Sequence, residues 1–333
     1  MDMLPPPHEF SNWWERWLGN RCVPSVVSCE FRPNNPEQVL ARWNAIAPIH
    51  AENPEEAEQL MAQRTWDSEH GKFCTGFLMG QDDDAVYILT CAHALGPAYN
   101  GQNPLTPVQA NGLFQPFILC DHKERRYRHG QDENRHYTWV DIARISCPRD
   151  LILLRMGKYR LSLYCEHEYP LMQIAQEFPA PFKTVVMVSR PPLRNRTRAM
   201  GHVSKQARSL TALAMENPYN YEMMLSEVNM NSEFGSSGAP LVYGNVQVVG
   251  VLHGGEKGVS YFVSLHDIRA ALTEFGILNS SPWPPSRAAR CGRRLQAPRG
   301  SSLWPPSRAA RLGLRIGLLE SSSPRPPEAC CGC

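Results

Sequence analysis

The sequence predicts an all-β core with a helical extension before it, a single helix after it, and a tail of a different kind. Three observations carry this. From about residue 65 to 265 the chain is a succession of short β-prone apolar runs separated by turn residues. Before residue 67 the signals are helical, with caps and acids placed for helix starts. After residue 280 the composition turns to Pro, Ser and Arg in a pattern that builds no core.

Residues 1–66 read as the helical extension. Residues 12–17 place Trp13, Trp14 and Trp17 on one helical face, which suits a short helix docking by its tryptophans. Asn53-Pro-Glu-Glu56 supplies a cap, a proline at the first helical position and acids in the first turn, and it opens a helix to about Gln63. Such an extension is expected to brace the β core rather than to stand as a separate binding module. The predicted strands are 73–79, 85–89, 114–120, 137–145, 151–156, 184–188, 199–204, 222–228, 240–243, 247–252 and 260–263. Asp82-Asp-Asp84 is a solvated hairpin turn. A gap near residues 165–176, holding Pro170, divides the strands into two sets of about equal size. Residues 266–275 read as the closing helix.

The bulk numbers exclude several classes. A hydrophobic content of 42% is ordinary for a globular chain of 333 residues. No stretch approaches 18 uninterrupted apolar residues, so no membrane span is expected. The start, Met1-Asp-Met-Leu-Pro-Pro-Pro-His8, lacks the basic and apolar regions of a signal peptide. The expected location is therefore intracellular, cytoplasmic or nuclear. There the eleven cysteines, scattered and odd in number, are reduced thiols and the Asn195-Arg-Thr197 sequon is unused. No metal and no cofactor is expected.

Residues 280–333 carry nine arginines and two glutamates, so the net charge of +2 leaves a mildly acidic remainder of −5. Within this tail, residues 280–290 recur with one change as residues 301–311, a period of 21. Two copies are too few and too polar for a solenoid, and the segment reads as a disordered duplication. Nucleic-acid binding is not expected of it. The terminal Cys330-Cys-Gly-Cys333 has the look of a lipidated end, but the composition produces such ends by chance.

The chemistry concentrates in three short segments. Residues 233–242 read Glu-Phe-Gly-Ser-Ser-Gly-Ala-Pro-Leu-Val. A serine hydroxyl is a poor nucleophile at pH 7. It needs a base beside it and backbone amides aimed at the oxyanion its attack creates, and a glycine two residues earlier permits the turn that aims them. Upstream, Thr90-Cys-Ala-His93 ends an apolar strand on a histidine, and Asp150 opens the apolar run Leu-Ile-Leu-Leu. Histidine, aspartate, serine is the chain order of one known form of the catalytic triad.

These three segments, spread over residues 67–277, resemble those of the trypsin-like (chymotrypsin-fold) serine proteases. Thr90-Cys-Ala-His93 stands for the family's Thr-Ala-Ala-His. Asp150-Leu-Ile-Leu-Leu stands for Asp-Ile-Ala-Leu-Leu, and Gly235-Ser-Ser-Gly-Ala-Pro240 for Gly-Asp-Ser-Gly-Gly-Pro. The resemblance implies two antiparallel six-stranded β-barrels, about 67–170 and 171–265, with a helix over 266–277 and the site between the barrels. The peptidase domain then spans 67–279. It also implies His93, Asp150 and Ser237 as catalytic residues, with the amides of Gly235 and Ser237 as the oxyanion hole. Ser236 is the local rival of Ser237. Asp141, in Val140-Asp-Ile-Ala, rivals Asp150, which is preferred because Arg144 interrupts the strand holding Asp141.

The departures from the family pattern inform as well. Secreted relatives carry an aspartate before the nucleophile, which pairs with a freed N-terminus; here the position is Ser236. The chain therefore sits nearer to intracellular HtrA-type and viral-type members, although no PDZ-like module follows. By the same alignment Asn231 is the floor of the specificity pocket and His253-Gly254-Gly255 its wall, which makes all four substrate-binding residues. His253 either reads an acidic or amide side chain of the substrate or bonds near Asp150, and the second role is preferred. The implied function is a serine endopeptidase acting on proteins or peptides, without a membrane partner and of undetermined oligomeric state. The alternative is a catalytically silent protease-fold scaffold. An α/β-hydrolase is excluded, since Ala239 breaks the Gly-x-Ser-x-Gly pattern. Because the tail has no core-forming pattern, truncation after Asn279 is expected to leave the melting temperature and activity nearly unchanged; a fall of several degrees would show that the tail docks.

Overall fold

The computed structural model describes residue 17 and residues 20–131, 133–162, 170–192, 197–215, 217 and 219–277. The expected tryptophan helix at 12–17 apart from Trp17, nearly all of the 165–176 gap's first half, most of the sequon and the whole repeat tail lie outside the described residues.

In chain order the elements are β1 (Val26–Pro33), α1 (Pro36–Ile46), α2 (Pro54–Glu69), β2 (Lys72–Gln81), β3 (Ala85–Cys91) and a 3-10 turn at His93–Ala98. Then come α3 (Pro107–Leu113), β4 (Phe114–Leu119), α4 (Asp121–Arg128), β5 (Thr138–Trp139), β6 (Asp141–Ser146), β7 (Leu151–Gly157) and α5 (Lys158–Ser162). The second half holds β8 (Gln173–Ile174), β9 (Thr184–Ser189), β10 (Thr197–Arg208), β11 (Leu225–Val228), β12 (Pro240–Tyr243), β13 (Gln247–Glu256), β14 (Val259–Val263) and α6 (Leu265–Glu274).

Helices α1, α2, α3 and α6 begin where the sequence supplies caps. Asn53 Oδ1 accepts from the Glu56 amide at 2.9 Å to open α2, and Ser264 caps α6 through the Asp267 amide at 3.2 Å. The β2–β3 hairpin closes on the aspartate turn, where Asp82 Oδ1 accepts the amides of Asp84 and Ala85. All eleven predicted strand segments are occupied by strands. One of them, 137–145, is broken at Val140 into β5 and β6.

The first sheet runs β5-β4-β1-β2-β3-β7-β6. Its two ends are consecutive in the chain, β5 pairing with β4 and β6 with β7, so one interrupted strand brings the sheet round on itself. The second sheet runs β12-β9-β10-β11-β14-β13 and closes by the β12–β13 pairing, with β8 added in parallel on β13. Counted from its own first strand, each barrel has the order 1-2-3-6-5-4. The architecture is thus a chymotrypsin-like pair of antiparallel barrels. The second is filled by Val185, Met187, Val203, Val228, Leu241, Val249, Leu252 and Phe262. No helix among the described residues is long and apolar enough to cross a membrane.

One expectation is corrected. The segment before residue 67 is not wholly helical, because β1 lies within it and pairs with β2 on one side and β4 on the other. Six of its eight residues are buried. A strand enclosed on both edges is specified by its partners, and its polar members Ser28 and Glu30 hide the apolar pattern in the sequence. Six cysteines are described (Cys22, Cys29, Cys74, Cys91, Cys120 and Cys147), all buried free thiols. Burial pushes the Cys22 thiol up to about 12.

A buried ion pair fixes α4 against the second barrel's first hairpin. Arg190, 3% exposed, places Nη2 2.5 Å from Oδ1 of Asp121, whose other oxygen lies 2.5 Å from Arg125 Nη2. The backbone amide of the same Arg190 donates to Thr75 Oγ1 at 3.0 Å. Removing one member of such a pair strands a desolvated charge, so Asp121→Ala should lower the unfolding free energy by about 3 kcal/mol in urea denaturation. A loss below about 1 kcal/mol, as for an exposed pair, would show that solvent reaches Arg190.

Candidate active site

The register between β3 and β7 builds the first half of the site. Cys91 is opposite Leu151, so the residue after β3 faces the residue before β7. Asp150 occupies that place in the left-handed region, φ 54°, at the end of a tight turn, a conformation that aspartate tolerates better than most residues. Its side chain is fully buried. Oδ1 accepts the backbone amides of Ala92 at 3.0 Å and His93 at 2.7 Å. Oδ2 lies 2.7 Å from His93 Nδ1. A carboxylate needs a donor there, so His93 carries its proton on Nδ1 and leaves Nε2 free to accept one.

The electrostatics follow. Burial alone would raise the Asp150 carboxyl, but the His93 charge and the hydrogen bonds from the His253 and His93 rings hold it well below the usual carboxylate range. Burial likewise works against a charged His93, and the Asp150 carboxylate outweighs it, so the imidazole lies above its ordinary value of 6.5.

The second half of the site is the turn before β12. Gly235 and Gly238 have φ of 83° and 81°, which glycine adopts without strain. The Ser236 amide is spent on Glu233 O at 2.9 Å, whereas the amides of Gly235 and Ser237 have no acceptor among the described residues. Ser236 is fully buried and donates to Ser189 Oγ at 3.1 Å, which in turn lies 2.5 Å from Thr197 Oγ1. A chain of neutral hydroxyls thereby holds the turn. Ser237 is half-buried, and its Oγ donates to the His253 carbonyl at 3.5 Å.

Thr75 on β2, absent from the sequence-based candidates, fastens this turn to the first barrel. Its amide donates to Ser237 O at 2.8 Å and its hydroxyl to Gly235 O at 2.9 Å. A buried threonine in an apolar strand carries no signal of this kind in the sequence.

The remaining candidates fall as follows. Asp141 is away from this cluster, 3.3 Å from Arg160 Nη1 on the outside of β6. His253 on β13 turns its Nδ1 to Asp150 Oδ2 at 2.6 Å. Gly254 faces open space, while a Cβ at Gly255 would meet Ser232 Oγ at 2.3 Å. Asn231 is exposed, its Oδ1 lying against Gly258. His93, Asp150 and His253 also make up a cluster of potential metal ligands. Both ring Nδ1 atoms lie within hydrogen-bonding distance of Asp150 Oδ2.

Residues 74–251, more than half of the chain, match the family model described as trypsin-like peptidase domain. Among solved structures, the active form of the Rv3671c protease from M. tuberculosis has a TM-score of 0.50 at 15% identity, covering 82% of this chain and 88% of that one. The inactive form of that protease gives 0.49 at 15% identity, with 82% and 98% covered. The first likeness is one of fold. No curated protein sequence matches the chain.

A methyl group at Gly238 would meet Thr75 O at 2.2 Å and Thr90 Oγ1 at 2.3 Å. Gly238→Ala combines this overlap with left-handed strain and should cost about 3 kcal/mol or more in urea unfolding. Gly244→Ala, at φ 57° with no atom within 4 Å of the added carbon, should cost only about 1 kcal/mol. Equal losses at the two positions would remove the cross-barrel contact from the account.

Proposed function

The chain belongs to the trypsin-like peptidase domain family, and from this premise we propose that it is a serine endopeptidase. The observation that carries the proposal is the pairing of a buried, fully hydrogen-bonded Asp150 with His93, together with the amides of Gly235 and Ser237, which have no acceptor among the described residues.

Ser237 Oγ attacks the carbonyl carbon of the scissile peptide bond as His93 Nε2 takes its proton. The oxyanion receives hydrogen bonds from the Gly235 and Ser237 amides, and Asp150 stabilises the imidazolium that forms. His93 then returns the proton to the departing amine, leaving an acyl group on Ser237. Water, deprotonated by His93, attacks the acyl carbon; the bond from that carbon to Ser237 Oγ breaks, the carboxylic acid departs, and His93 returns the proton to Oγ. Ser236 is unsuited to this role because its hydroxyl is buried and bonded to Ser189.

The substrate is an extended protein or peptide segment running along β13 at Gly254, where open space beside the backbone leaves room for strand pairing. Asn231 is neutral and offers no carboxylate to pair with Lys or Arg, so it confers no preference for cleavage after basic residues. With Ser236 in place of an acid, no activation through an ion pair to a freed N-terminus is required; the hydroxyl chain already holds the turn.

A fluorophosphonate probe, which reports an activated serine without knowledge of the substrate, tests the reading. Wild type should label at Ser237, and Ser237→Ala and His93→Ala should each lose peptidase activity by about a millionfold while remaining folded. Asp150→Asn should lose roughly a thousandfold or more, and Asp141→Asn little. Since only neutral His93 accepts the proton, labelling should fall with an acid midpoint above 6.5, in keeping with the raised imidazole. Folded wild type that fails to label would support the scaffold reading instead.

A further inference from the structure

We infer that His253 is a positioning residue: by sharing Asp150 Oδ2 with His93 it sets both the orientation and the proton affinity of the catalytic imidazole, an inference that rests on the serine-peptidase reading. Oδ1 of Asp150 is fully used by two backbone amides. Both rings therefore converge on Oδ2, at 2.7 Å for His93 and 2.6 Å for His253, and fill its two acceptor positions.

The second ring is as firmly held as the first. It meets His93 edge to face, with centroids 5.3 Å apart and planes at 87°. Tyr221 packs on it in the same manner at 5.2 Å and 84°. Its side chain is 15% exposed against 27% for His93. The main-chain carbonyl of the same residue accepts the Ser237 hydroxyl. His253 thus touches the carboxylate with its side chain and the nucleophile with its backbone.

The sign of its effect on His93 is fixed. A hydrogen bond from His253 draws on the same oxygen that stabilises the His93 imidazolium, and any charge on His253 repels that imidazolium directly. Both lower the proton affinity of His93 relative to an Asp150 that faces it alone. The other titratable groups packed here are Tyr99 from the turn after β3, Tyr221, Cys147 before Asp150, Cys91 on β3 and Cys74 on β2. Burial pushes Tyr99, Tyr221, Cys147 and Cys91 up, out of the neutral range, and Cys74 Sγ lies 3.2 Å from Thr90 Oγ1. All are common to the variants compared below.

The test measures the fluorophosphonate labelling rate against pH for wild type, His253→Ala and His253→Asn, with imidazole NMR titration of His93 in each. His253→Ala should label about ten to a hundred times more slowly through misorientation. Its acid midpoint and the His93 titration should both move up by about half a unit or more. Asn carries an amide N–H where Nδ1–H stood and should recover most of the loss. If the alanine variant does not fold, His253→Leu fills the space without a donor and carries the same comparison. A folded alanine or leucine variant with unchanged rate and midpoint overturns the inference, as does a folded asparagine variant that recovers nothing. If wild type itself does not label, the peptidase reading fails, and the His93 titration alone decides: an upward move in His253→Ala sustains the positioning role, and an unmoved one ends it.

Discussion

A carboxylate with no access to water is the constraint around which this molecule is arranged. Asp150 is fully buried, and an isolated charge there would be lost to protonation. It stays ionised because four donors converge on it, two amides from the segment after β3 and two imidazoles from different barrels. The first barrel supplies the aspartate, its turn and one histidine. The second supplies the other histidine through β13. The electrostatic requirement of one side chain therefore ties the two barrels together at the place where chemistry is proposed.

Thr75 makes the complementary tie. Asp150 reaches across to β13, and Thr75 on β2 reaches across to the turn that holds Ser237, through both its amide and its hydroxyl. The same hydroxyl accepts the Arg190 amide, and the Arg190 side chain is anchored on Asp121. The serine turn is thus braced from the first barrel by hydrogen bonds and from β9 by the Ser236–Ser189–Thr197 hydroxyls. A neutral network of this kind holds its geometry without a charge that must arrive after synthesis. Its cost lies in backbone freedom: the turn demands positive φ at Gly235 and Gly238, and the second glycine sits against Thr75 and Thr90 with no room for a side chain.

Equal strand order in the two barrels explains why these ties meet. Each barrel closes through its fifth strand, which pairs with the fourth on one side and the sixth on the other, so equivalent connections emerge in equivalent places. In the first barrel the connection after the third strand carries His93 and the one before the sixth carries Asp150. In the second, the connection before the fourth strand carries Ser237.

Much of this was legible in residue order. Apolar runs of strand length, the Asn53 helix start and the aspartate hairpin are local, and each is decided by neighbours within a few positions. The three motifs are local too: a strand ending on His93, an aspartate opening an apolar strand, and a serine between positive-φ glycines. Other features were beyond that reach. β1 lies in a stretch whose sequence reads as helical, because a strand with polar Ser28 and Glu30 is specified by β2 and β4 rather than by its own pattern. The choice between a pocket role and an Asp150 role for His253 rests on a bond spanning 103 positions, and the Thr75 clamp spans 160. Local backbone preference and hydrophobic period determine which elements form. Which polar groups meet depends on how two separately closed barrels face one another, and only the tertiary structure decides that.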